Sequence, residues 1–275
     1  MELLNFCMMP KRAYQELFGW IVIPAVILLL QDVPAGTQDY LRPGIIGEDN
    51  RIIVTEKGPP WDAIGQVNVS GVSTRGICTG TLVAPRLVLT AAHCVTHAGA
   101  KKPFPLGNIH FLAGSRADST KHSTANCLHI LEGFAYMPTS KIEPSLPARA
   151  MPLDDFRKDA AVIVLKDVLP VEPAPLAEDV APRPGLHLVH AAFAGDRRFA
   201  LSVHFDCQLL SSEAVRPFWF NDCDTHPGSS GGPLFVKIDG VMKLAAIMVA
   251  TGARASNVAL PISEWTALTR SDICP

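Results

Sequence analysis

Apolar residues in this chain come in short runs, each closed by Gly, Pro, Ser or Asp. The clearest lie at 52–55, 64–69, 81–84, 87–90, 109–114, 160–165, 186–195, 201–210, 233–236, 244–250 and 258–260. Runs this short, bounded by turn residues, predict strands, and helix-period segments are scarce. Asp239-Gly240 sits between two such runs and predicts a hairpin turn. Residues 261–269 predict one short C-terminal helix, starting near Pro261 or Ser263. The pattern is that of an all-β barrel or sandwich. Trp61 and the group Phe218-Trp219-Phe220 read as packing residues. Residues 137–152 and the stretch carrying His97, Lys101 and Lys102 read as solvated surface loops.

One apolar stretch differs from the rest. Residues 17–30 form a run of about 14, short of the ~20 needed to span a bilayer. Lys11 and Arg12 precede it, and Val33-Pro34-Ala35 follows with small residues suited to cleavage. Residues 1–35 are therefore expected to be a signal peptide, with 36–46 a lead-in or propeptide remnant. The alternative is an uncleaved anchor, the one case in which a membrane is a partner. Either way the folded part is exported.

Cysteine usage agrees with export. Cys7 lies in the targeting segment, which leaves Cys78, Cys94, Cys127, Cys207, Cys223 and Cys274, an even set suited to disulfides. Six cysteines allow 15 connectivities, and sequence alone does not choose. No close Cys-x-x-Cys pair exists, so zinc is not expected. His122 and His129 are isolated and read as ordinary surface or hydrogen-bonded residues. Of the 275 residues only 18% are charged and the formal net charge is −2, which argues against a nucleic-acid surface.

The chemistry concentrates in Cys223-Asp224-Thr225-His226-Pro227-Gly228-Ser229-Ser230-Gly231-Gly232-Pro233-Leu234. Glycines around a serine permit a tight turn with positive φ. Such a turn lifts Ser230 and aims the Gly228 and Ser230 N–H groups at one point, where an oxyanion would develop. A serine hydroxyl is a weak nucleophile and needs a base with something to orient it. His93 supplies the base: it follows an apolar strand and two small residues, in Leu89-Thr90-Ala91-Ala92-His93-Cys94. Asp159 precedes the apolar run 160–165 and can orient the imidazole. The competing acids Asp154 and Asp155 lack such a run.

These three segments, with Cys78-Thr79-Gly80-Thr81-Leu82, resemble the chymotrypsin-fold serine peptidases, and most closely their bacterial trypsin-like and glutamyl-endopeptidase-like branch. The resemblance spans roughly 45–265. It implies two six-stranded antiparallel barrels, an N-terminal one at 47–165 and a C-terminal one at 186–275 with the helix, joined by a Pro-rich linker at 166–185. The active centre would lie in the cleft between them: His93, Asp159 and Ser230 as triad, with Gly228 and Ser230 as oxyanion hole. The resemblance also implies Cys78–Cys94 and Cys207–Cys223 pairs, leaving Cys127 for Cys274, and a substrate strand along 248–252.

Two positions depart from the trypsin pattern. Ser229 stands where an Asp would pair with a new N-terminal amine, so activation through that ion pair is not expected. Asp224 stands where trypsin carries the acid selecting Arg or Lys; either it does so here, or it caps the loop through backbone hydrogen bonds. Thr225 matches a glutamate-binding threonine of the glutamyl endopeptidases, but Met248 replaces their accompanying histidine. His226 borders the substrate or is an ordinary loop residue. The expected function is an exported, monomeric serine endopeptidase acting on protein or peptide substrates, with no metal, no organic cofactor and no nucleic acid. The alternative is a non-catalytic binding protein on a peptidase fold. A lipase reading fails on chain order, since α/β-hydrolases run Ser, Asp, His.

Overall fold

The computed structural model describes residues 44–71, 75–97, 102–114, 121–134, 156–212, 217–251, 256–270 and 274. The expected signal peptide, the 137–152 loop, and Asp154 and Asp155 lie outside the described residues. Thirteen strands appear among those described. Six of them, β2 (Ile64–Ser70), β3 (Arg75–Ala84), β4 (Leu87–Thr90), β5 (Ile109–Ala113), β6 (Lys121–Ile130) and β7 (Ala161–Leu165), close a barrel in the order β2-β3-β4-β7-β6-β5. Every pairing in it is antiparallel.

A second ring runs β9-β10-β13-β12-β11-β8 and closes through β8–β9. Its strands are β8 (His187–Ala192), β9 (Ser202–Ser212), β10 (Trp219–Asn221), β11 (Pro233–Ile238), β12 (Val241–Ala250) and β13 (Asn257–Pro261). A short β1 (Ile52–Ile53) adds to β9. Closing both sheets leaves few free strand edges. The fold is thus two six-stranded antiparallel barrels with a C-terminal helix. That helix is one α-turn, α1 (Ile262–Trp265), continued by a 3₁₀ segment, Thr266–Arg270. Trp265 is fully buried and donates its Nε1–H to the Leu260 carbonyl at 3.1 Å, which seats the helix on β13.

β6 has no apolar run, and the hydrophobic pattern does not reveal it. Its buried positions are Ser123, Ala125 and Cys127, all small, alternating with more exposed residues. The period of two is present but carried by size rather than hydrophobicity. Between β7 and β8 the chain crosses from one barrel to the other. Ala174 N–H donates to Leu82 O of the first barrel and Ala177 N–H to Leu244 O of the second, both at 2.9 Å. Three disulfides staple the structure: Cys78–Cys94, Cys127–Cys274 and Cys207–Cys223. Cys127–Cys274 ties the chain's end to β6 across 147 residues.

The second barrel buries a histidine whose charge it excludes. His190 on β8 is 2% exposed, its Nδ1 lies 3.1 Å from the Pro233 carbonyl, and its Nε2 has no partner. Burial lowers its pKa to about 4; the Pro233 bond opposes the shift, and the charges of His204 and Arg51 assist it. The unfolded chain protonates near 6.5, so the folded state holds fewer protons between pH 6.5 and 4. This contribution to stability is full above pH 6.5 and is lost as pH falls. It amounts to about 3 kcal/mol at pH 4, at 1.36 kcal/mol per pKa unit. His190→Gln should flatten the acid side of a stability-versus-pH curve by that amount. Denaturant titrations at pH 7 and pH 4 check it, and parallel curves for the two proteins would refute it.

Candidate active site

β4 and β7 are neighbours, with Thr90 opposite Ala161. In an antiparallel pair, the residues after Thr90 and those before Ala161 emerge at the same end. That register brings His93 and Asp159 together across 66 residues of sequence. Asp159 is 1% exposed, and both its oxygens face His93: Oδ1 accepts the His93 backbone N–H at 2.9 Å, and Oδ2 lies 2.6 Å from Nδ1. A carboxylate only accepts, so Nδ1 carries the proton and Nε2 presents its lone pair. Burial pulls the His93 pKa down, but the charge and hydrogen bond of Asp159 outweigh it and leave the pKa above 6.5. Ala91 and Ala92 are fully buried beneath the histidine, and Cys94 is bonded to Cys78 on β3.

Ser230 arrives from the second barrel. Its carbonyl accepts the Thr79 N–H at 2.9 Å and lies 3.8 Å from Cys94 Sγ, next to His93. This approach requires glycine at 231. Its φ is +77°, and a Cβ there would collide with Thr79 O, Thr90 Oγ1 and Ala91 N. Gly228 has φ +102° and packs against the Phe193–Gly195 backbone. Ser229, Gly231 and Gly232 donate their N–H groups to His226 O, Met248 O and Ser229 O. Among the described residues, no protein acceptor takes the N–H of Gly228 or of Ser230. Gly228 and Ser230 are both partly exposed residues.

The expected specificity residues are placed differently from the trypsin pattern. Asp224 is fully buried. Its Oδ1 accepts Ile46 N–H at 2.9 Å and its Oδ2 accepts Asn50 N–H at 2.8 Å. Its own N–H donates to His204 Nδ1 at 2.8 Å. Of the two roles open for Asp224, selecting a basic substrate residue or accepting backbone hydrogen bonds, the geometry fits the second: the carboxylate takes backbone N–H groups and faces no open space. It does accept backbone hydrogen bonds, but from 46 and 50 rather than from its own loop. Thr225 and Met248 are each 1% exposed. Thr225 N–H donates to Gly44 O at 2.9 Å, and its Oγ1 is buried with no partner. The backbone beyond Ala250, where a substrate strand is expected, lies partly outside the described residues.

A strap, residues 44–51, covers this region, and nothing in the apolar pattern pointed to it. Asn257, fully buried, donates its Nδ2–H groups to Gly44 O and Cys223 O, each at 2.8 Å. Arg51 is 6% exposed and bonds both Asp49 and Asp196, while Arg197 reaches Asp49 at 2.8 Å. The Arg51 hydrogen bond holds the Asp49 carboxyl down at about 2, against the pull of burial. Gly195, beside Asp196, donates its N–H to Pro227 O at 2.7 Å. His226 is partly exposed, with Nδ1 3.6 Å from Asp196. The ion cluster therefore holds the backbone against which the serine loop leans. Arg51 and Asp196 lie 145 residues apart, and only an Asp/Arg-rich composition at 49–51 and 196–198 hinted at them.

Two closed β-barrels with a histidine–carboxylate pair and a glycine-bounded serine between them define the chymotrypsin fold. The family model for the trypsin-like peptidase domain matches residues 78–242, more than half of the chain. This chain belongs to that family and is a serine-type endopeptidase of the trypsin-like superfamily. Solved structures share the fold at low identity. A Glu endopeptidase superposes with TM-score 0.63 at 17% identity, covering 82% of this chain and all of its own. The VesB protease of Vibrio cholerae gives 0.59 at 16%, covering 80% of this chain and 66% of its own. No curated protein matches by sequence.

Proposed function

We propose that the protein is an exported endopeptidase that cleaves protein or peptide substrates through an acyl-enzyme on Ser230. The observation carrying this reading is the double engagement of Asp159 with His93, which puts the proton on Nδ1 and leaves Nε2 as the basic nitrogen. Ser230 Oγ attacks the scissile carbonyl and its proton passes to His93 Nε2. The imidazolium formed is stabilised by Asp159. The Gly228 and Ser230 N–H groups bind the tetrahedral oxyanion. His93 then protonates the departing amine, and water, deprotonated by the same nitrogen, releases the acyl group. Buried Asp224 and the absence of histidine at Met248 support neither basic nor glutamate preference before the cut. Three disulfides favour an oxidising compartment, and the basic-apolar-small pattern at 11–35 favours export through a cleaved signal.

The direct test is the intact mass of the exported protein before and after reaction with a fluorophosphonate. The expected result is three disulfides, a mature start after residue 35, and one adduct on Ser230 that is lost in His93→Ala. A disulfide-bonded, correctly processed protein without an adduct would overturn the catalytic reading and favour a binding protein.

A further inference from the structure

Among the described residues, the Gly228 and Ser230 N–H groups have no protein acceptor, and no ion pair forms at Ser229 between them. Ser229 has no charge, and among the described residues its Oγ takes the His226 N–H at 3.3 Å. Glycine at 228 makes the peptides on either side easy to rotate. A planar trans peptide points its C=O and N–H in opposite directions, so holding a carbonyl also sets the N–H of the same peptide. The loop does this four times in succession. Pro227 O accepts Gly195 N–H at 2.7 Å, which sets the Gly228 N–H. Ser229 O accepts Gly232 N–H at 2.8 Å, which sets the Ser230 N–H. Ser230 O accepts Thr79 N–H at 2.9 Å. The fourth carbonyl, of Gly228 itself, accepts the Thr79 hydroxyl at 3.0 Å.

Thr79 is the one side chain in this set. It is fully buried on β3, 149 residues from Gly228 in sequence, and next to the disulfide that fixes the His93 turn. Its Oγ1 also accepts the Phe193 N–H at 3.0 Å. That bond occupies a lone pair, so the single hydroxyl proton is left for Gly228 O. The donor direction is thereby set by the second barrel's own backbone. If the Gly228–Ser229 peptide, which lies between the two donor N–H groups, turned over, its carbonyl would lose the Thr79 hydroxyl and the Ser229 N–H would lose His226 O. The buried hydroxyl would also be left without its acceptor, a cost that opposes the turn.

We propose that Thr79 is a positioning residue of the oxyanion hole: its hydroxyl pins the Gly228 carbonyl, and with it the peptide that lies between the N–H groups of the two donor residues Gly228 and Ser230, in the place of an ion pair at Ser229. This rests on the reading of Gly228 and Ser230 as oxyanion donors.

The test uses the disulfide-bonded protein and its Thr79→Val, Thr79→Ala and Thr79→Ser variants. A fluorophosphonate is the probe, because its phosphoryl oxygen occupies the hole and it makes no demand on side-chain specificity. Valine keeps the shape and removes the hydroxyl; serine keeps the hydroxyl and removes the methyl. The second-order labelling rate at Ser230 is expected to fall about 10²-fold in the Val and Ala variants, the size of losing one oxyanion donor. The Ser variant should stay within a few fold of wild type. On a fluorogenic peptide the loss should appear in kcat with KM within about twofold, since the ground-state carbonyl gains little from the hole.

Val and Ala variants that label within about threefold of wild type would overturn the proposal. So would a Ser variant as slow as Val. If Val and Ala fail to fold while Ser behaves as wild type, the hydroxyl serves the fold rather than the hole, and the proposal falls. Wild-type protein that takes no label would instead remove the reading of the site on which it rests.

Discussion

Ser230→Ala should lower kcat by about 10⁶-fold while the protein stays folded. Removing the nucleophile of a serine–histidine–carboxylate unit costs about this much, because the remaining groups then have nothing to activate. Residual hydrolysis, roughly 10³–10⁴ over water, should survive through the two N–H donors and substrate binding alone. Ser230 is partly exposed, and the hydrogen bond it makes among the described residues, from the Thr79 N–H, falls on its backbone carbonyl. Deleting Oγ therefore leaves the Thr79–Ser230 bond and the Gly231 seat intact. The thermal midpoint should be essentially unchanged. The measurement is kcat on a fluorogenic peptide or casein, alongside a melting curve. Proteolysis retained at a tenth of wild type by a folded variant would move the nucleophile elsewhere.

Asp159→Asn should cost about 10⁴-fold in kcat through a different cause. An amide at 159 can donate as well as accept, so it no longer forces the proton onto Nδ1, and Nε2 is lost as a base in the wrong tautomer. The variant also makes a pH prediction. In the wild type Asp159 outweighs the effect of burial and keeps the His93 pKa above 6.5. Neutral imidazole is the active form, so the acid limb of the kcat/KM profile should have its midpoint above pH 6.5. Without the carboxylate charge, burial is left to act alone, and the limb of the residual activity should move below pH 6.5. The stability term has the opposite sign from that of His190. A raised folded pKa contributes stability below pH 6.5 that disappears as pH rises through it, and the Asn variant should lack this term. An acid limb that does not move would mean that Asp159 does not act on His93.

Much of the site was legible because its signals are local. A serine between glycines, and a histidine after Ala-Ala at the end of an apolar strand, carry chemistry within a few residues of themselves. The same holds for Asp159, which leads an apolar run that can only be a buried strand. By contrast β6 was invisible, because Ser123, Ala125 and Cys127 fill a narrow interior with small residues rather than greasy ones. The strap was invisible too: residues 44–50 are held by backbone N–H groups on Asp224 and by carbonyls on Thr225 and Asn257, and backbone groups leave no mark in the sequence.

Taken alone, the amino-acid sequence determined the strand-rich class and singled out the candidate serine and histidine segments with the acid between them. Each depends on residue types within a short window, where turn chemistry and alternation act. The tertiary structure alone decided what Asp224 and Thr79 do. Position in the motif suggested substrate selection for Asp224, but the fold brings the N–H groups of Ile46 and Asn50 onto it from 174 and more residues away. A buried carboxylate takes the donors that reach it, and Asp224, fully buried with a backbone N–H on each oxygen, faces no open space. Thr79 reads in sequence as one polar residue in a strand. Its meaning comes from Phe193 and Gly228, which only the packing of one barrel on the other brings to its hydroxyl.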